Sequence, residues 1–169
     1  MNINSSARPR SHKTGENIIG IISIGAVLIL IGAIYVATLP TSLWENIVAF
    51  FNSFNGVPVP NSTINLPAPA VPSAHAVVYN AAFQFSIGIA ILQVILLVLR
   101  LLWRSPIDKT SETVGNLVFW FGISYLVPTF LNSTTTLTTW FAFWAAFLMV
   151  IGISMMARAV VLFAKKQFS

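Results

Sequence analysis

Cysteine is absent from this chain, and acidic residues number four against nine basic ones. Without cysteine there is no disulfide, no thiolate nucleophile and no thiolate-held metal or iron–sulfur cluster. Charged residues of both signs make up 8% of the 169 residues, and hydrophobic residues 56%. Soluble domains carry about 25% charged and roughly 45–50% apolar residues, so the shortage of charge excludes that class. It also excludes global disorder, which requires a polar, highly charged chain.

The few acids are also poorly placed for proton or ion coupling across a membrane. Glu16, Glu45, Asp108 and Glu112 all lie away from the middles of the long apolar runs. Intramembrane acids are what proton relays and many ion-coupled transporters use, so a proton-driven antiporter has little to work with here. Histidine occurs twice, at His12 and His75. One falls in the N-terminal tail and the other at the edge of the second apolar run, so they cannot share a metal or haem. The sequence predicts His75 as a solvated loop residue. With no cysteine and no acid cluster nearby, zinc and di-iron sites lack a complete ligand set. There is no P-loop and no G-x-S-x-G elbow, and no histidine is placed by sequence to activate a serine. The sequence leans away from an enzyme and assigns no catalytic residue, cofactor or metal site.

What the chain does have is four long apolar runs, at residues 18–38, 77–103, 114–131 and 140–163. A helix rises about 1.5 Å per residue and a bilayer core is about 30 Å thick, so each run is long enough to cross. The expected fold class is therefore an all-α integral membrane protein of four transmembrane helices. Residues 1–17 read as a polar tail, 104–113 as a short connection, 132–139 as a turn and 164–169 as a second tail. A cleaved signal peptide is a poor alternative for the first run. The run exceeds a typical apolar region of about 7–15 residues and no small-residue cleavage site follows closely.

The 39–76 segment divides in two. Ser42 and Glu45 have capping-box spacing. Leu43, Trp44, Ile47, Val48, Phe51 and Phe54 share a helical face, so residues 43–54 predict a short amphipathic helix lying in the membrane interface. Residues 55–76 hold Pro58, Pro60, Pro67, Pro69 and Pro72 with no formal charge. That spacing disfavours helix and central strand and predicts extended, polyproline-like chain. Farther along, Ser105 and Pro106 predict a cap and first helical position for the third span.

The basic residues set the expected orientation. Arg8, Arg10 and Lys13 precede the first span. Arg100, Arg104 and Lys109 surround the middle connection, and Arg158, Lys165 and Lys166 close the chain. Excess Lys and Arg mark the cytoplasmic side, so both termini are expected inside and the 39–76 and 132–139 segments outside. These residues double as candidate contacts to lipid headgroups. The arrangement does not resemble a nucleic-acid surface, because no basic patch interleaves with aromatics outside the apolar runs. Asn61 and Asn132 begin glycosylation acceptor patterns in the two outer segments, a third occurring at Asn4.

Within the spans, Ala82, Ser86 and Ala90 recur every fourth residue, and Ala142, Ala145 and Gly152 follow similar spacing with Met149 and Met156. Small residues in such stripes let helices approach closely. Asn80, Gln84, Gln93 and Asn116 are the largest polar groups at membrane depth, and interhelical hydrogen bonding is their ordinary role. These features predict a non-enzymatic accessory or structural subunit, packed in the plasma membrane against other membrane-protein subunits or copies of itself. The alternative is a small oligomeric channel or facilitator for neutral solutes or ions, lined by the polar face of the second span.

Overall fold

The computed structural model describes residues 10–39, 42–60, 62–103 and 105–168. Arg8, Asn61 and Arg104 lie outside the described residues, as do the side chains of Arg10, Lys13, Lys165 and Lys166. Five α-helices are seen among the described residues: α1 Arg10–Ala37, α2 Leu43–Asn52, α3 Ala76–Leu102, α4 Ile107–Phe130 and α5 Leu137–Phe168. A two-stranded antiparallel ribbon, β1 Phe54–Pro58 with β2 Asn65–Pro69, and a 3₁₀ turn over Pro72–His75 join α2 to α3. Four of the helices are long and apolar enough to cross a membrane. Helix α1 starts eight residues before the expected span and α5 runs past its expected end, because no proline interrupts either stretch.

The core is a bundle of α3, α4 and α5, whose closest approaches depend on glycine. A Cβ on Gly122 of α4 would lie 2.5 Å from Val150 Cγ1 of α5. One on Gly115 would lie 3.2 Å from the Ser154 carbonyl oxygen and 3.3 Å from Arg158 Cβ. The absence of these two Cβ atoms lets α4 and α5 come together, as small residues do between membrane helices. Phe119 and Phe147 meet edge to face across the same contact, and Phe85 of α3 meets Trp120 of α4 in the same manner.

Helix α1 lies outside this bundle, along α3. Ile19 packs against Ile89, Leu92 and Leu96, and Leu30 covers Gly88. Ile34 is buried with Leu43 of α2 and Ala81 of α3. The remaining faces of α1 are apolar and exposed, as Ile21, Leu28 and Ile29 illustrate. In a bilayer this costs nothing, since lipid tails are as apolar as the side chains.

Three local expectations are corrected. The capping box at Ser42 does not form. Ser42 adopts a left-handed backbone, φ 50°, and its side chain makes no cap hydrogen bond. Pro106, not Ser105, occupies the cap position of α4, and its carbonyl accepts the Lys109 and Thr110 N–H groups. Finally, the short helix ends at Asn52, so Phe54, expected on its apolar face, begins β1 instead, and residues 55–58 and 65–69 form paired strands rather than unpaired polyproline chain. Phe54 faces Pro69 and Pro58 faces Asn65 across the ribbon. A ribbon of two strands has only edges, so a proline with no N–H to donate can occupy it.

Candidate functional site

The richest side-chain cluster sits at the end of the bundle that carries the ribbon. Trp140, at the start of α5, is 2% exposed. It meets Phe50, Phe54 and Trp144 edge to face and Tyr79 at a tilt. Ala68 of β2 is fully buried against this cluster, which is how the ribbon is held down. The Tyr79 hydroxyl donates to the Pro72 carbonyl at 2.9 Å, tying the 3₁₀ turn to the first turns of α3. The Trp140 Nε1 group is buried and makes no hydrogen bond among the described residues.

His75 belongs to the same cluster and is only 7% exposed. Its expected place in a solvated loop is therefore wrong. Phe50 packs edge-on to its ring, and its Nε2 lies 3.0 Å from Ser53 Oγ. Sequence reasoning missed this pair because the partners are 22 residues apart and neither sits in a motif. A serine beside a histidine can be a nucleophile and its base, but here the protons run the other way. Ser53 Oγ donates to the Phe50 carbonyl at 2.7 Å, so its oxygen is left to accept from His75 Nε2–H. That assignment follows from the hydrogen-bond network. The pair acts as a latch between the C-terminal end of α2 and the N-terminal end of α3.

The polar residues at membrane depth are dispersed. Asn80 and Asn116 are exposed, while Gln84 and Gln93 are half-buried. Of the four, Asn80 lines a cavity of about 180 Å³, with Tyr79, Phe83, Pro128, Asn132 and Ser133. The buried or half-buried hydroxyls do not join helices. Ser86, Ser124 and Ser154 each donate to a carbonyl of their own helix three residues back, at 2.7 to 2.8 Å. Asn132 is also committed locally. Its Nδ2 donates to the Pro128 carbonyl at 3.2 Å, and its Oδ1 accepts from the backbone N–H and hydroxyl of Thr134.

The predicted seams separate. On α3, Ser86 and Ala90 are buried, but Ala82 is exposed. On α5, Ala142 is half-buried while Ala145, Met149, Gly152 and Met156 are exposed. A Cβ on Gly152 would meet nothing within 4 Å. Between α4 and α5 the close contact is made instead by the α4 glycines.

At the opposite end, Lys109 and Glu112 form an exposed ion pair at 3.1 Å, and an Arg100 guanidinium nitrogen donates to the Lys109 carbonyl. Arg158 stacks its Cβ beneath Gly115. The basic side chains that the structure describes thus gather around the start of α4. Among the described residues no three His, Asp or Glu converge on a point where a metal could sit.

Together these features define a helical membrane protein with four apolar helices long enough to span a bilayer. Comparisons with protein-family models, curated proteins and solved structures give no match for this chain.

Proposed function

We propose that this chain is a non-enzymatic accessory or structural subunit that associates in the membrane with copies of itself or with another helical subunit. One observation carries the reading. Helix α5 spends one face on α4 and leaves a second, with Ala145, Met149, Gly152 and Met156, unpacked. Gly152 offers close backbone approach and the methionines adapt to a partner's shape. The positive charges support an orientation with both termini in the cytoplasm and the ribbon end outside, and the membrane proposed is the plasma membrane. The amphipathic α2, with Trp44 and Phe51 exposed, suits a place in the outer interface.

Crosslinking and native mass spectrometry in mild detergent test this reading. The expected result is an oligomer or a co-purifying membrane protein that Gly152→Leu weakens. A strict monomer with no partner at membrane-like density refutes it. A small channel is the second reading, favoured by Asn80 lining an open cavity at the ribbon end. Reconstituted liposomes should then show a solute flux that falls in Asn80→Leu, and no flux across a broad panel ends that idea.

A further inference from the structure

We propose that the cleft bounded by α1, α2 and the first half of α3 binds a bilayer phospholipid with an ammonium headgroup. Its acyl chain lies in an apolar groove and its ammonium beside Glu45, Tyr35 and Trp44. The groove encloses about 370 Å³, within the roughly 300–1,000 Å³ of typical ligand sites. Ile34, Leu43, Ile47, Ala82 and Phe85 are among its lining residues, and Tyr35 alone brings a polar atom in its side chain. It exists because α2 wedges Leu43 against Ile34 and Ala81, filling one end of the gap between α1 and α3 and leaving the rest open.

A second cavity of about 270 Å³ adjoins the first, with Tyr35 and Leu43 lining both. Its other walls are Leu39, Ser42, Trp44 and Glu45. An apolar trough that runs into a pocket with one carboxylate and two aromatic rings has the polarity of an amphiphile. Its charge selects the headgroup. Glu45 is the only Asp, Glu, Lys or Arg in residues 39–76, and residues 132–139 hold none. An ammonium is attracted by the carboxylate and by the faces of Tyr and Trp. A net-anionic headgroup finds no cation to meet it. The same inventory argues against a second copy as the occupant, because a copy in the same orientation has no Lys or Arg at this end to pair with Glu45.

Delipidated full-length protein in mild detergent would be offered phosphatidylethanolamine, phosphatidylcholine or phosphatidylglycerol with identical acyl chains. Bound lipid would be counted by native mass spectrometry. Either ammonium lipid should be retained at least about threefold over the glycerol lipid, the scale of an exposed charge and cation–π contact. Glu45→Gln, at an exposed position, should erase most of that preference while leaving lipid bound. Ala82→Phe, which fills the groove from the exposed side of α3, should remove the adducts of all three lipids. Equal retention of phosphatidylglycerol by the unaltered protein overturns the proposal. So does a preference that survives Glu45→Gln, or an Ala82→Phe protein that loses a dimer while keeping its lipid. The Glu45→Gln arm stands by itself if Ala82→Phe fails to fold.

Discussion

The same substitution, glycine to alanine, should have opposite consequences at Gly122 and Gly152, two positions on adjacent helices that lie close in depth. On Gly122 the new Cβ would sit 2.5 Å from Val150 Cγ1 and 2.9 Å from Cγ2. Favourable carbon contacts lie at about 3.5–4.0 Å, so the shortfall is roughly 1 Å. Val150 cannot swing aside cheaply, since valine has one strongly preferred rotamer in a helix. Either α4 and α5 move apart or Val150 leaves its well, and overpacking of this kind costs about 1–3 kcal/mol. On Gly152 the Cβ meets nothing within 4 Å. Both substitutions gain the same helix preference of about 0.5–1 kcal/mol, so that term cancels in the comparison.

The difference between Gly122→Ala and Gly152→Ala is therefore the overpacking term alone. For a chain of this size about 2–4 °C accompanies each kcal/mol, so Gly122→Ala should melt a few degrees at least below Gly152→Ala. The measurement is tryptophan fluorescence during thermal unfolding, in detergent excess that keeps the protein monomeric. Val150→Ala in the Gly122→Ala background should recover most of the loss, giving a coupling of about 0.5–3 kcal/mol in a double-mutant cycle. A Gly122→Ala protein as stable as Gly152→Ala, or a cycle with no coupling, would show that α4 and α5 do not meet at this point.

Other expectations follow from the ribbon end and from the charges. Ser53→Ala leaves the buried His75 without its partner and should cost about 1–3 kcal/mol, measured by the same melt; an unchanged melting temperature would deny the latch. Trp140→Ala opens a hole among Phe50, Phe54 and Tyr79 and should cost about 3–5 kcal/mol. Trp140→Phe also removes the unpartnered Nε1–H and should cost far less, and equal losses would count against that packing. Glu112→Gln breaks only an exposed ion pair and should stay within about 0.5 kcal/mol of the parent. For orientation, a membrane-impermeant maleimide on intact cells should label Ser62→Cys and spare Asp108→Cys until the membrane is broken. Asp108 is exposed whereas the nearby Ser111 is fully buried and would stay silent on either side. Labelling of Asp108→Cys on intact cells would reverse the orientation.

The spans were legible because a bilayer imposes a length and forbids charge, and both are linear properties of a sequence. The ribbon was not, because proline density disfavours a central strand and says little about a lone pair of edges. His75 was misplaced for a related reason. Its neighbours, Ala74 and Ala76, suggest nothing, and its burial comes from Ser53 and Phe50, brought to it by the turn of the chain after α2.

The seams show where a linear reading stops in a membrane protein. In water a stripe of apolar side chains on a helix identifies the buried face, since the opposite face must be polar. In lipid both faces are apolar and small-residue spacing is the remaining signal. That spacing occurs on α3, α4 and α5 alike, at Ala82–Ala90, Gly115–Gly122 and Ala142–Gly152. The α4 pair, only seven residues apart, and the Ser86–Ala90 part of the α3 stripe are packed against neighbours, while Gly152 at the end of the α5 stripe faces open space. A stripe thus records that some backbone can come close, and only the Cβ geometry says whether that backbone belongs to the same chain. Where it does not, as at Gly152, a stripe that no internal contact explains is the reason to look for a partner.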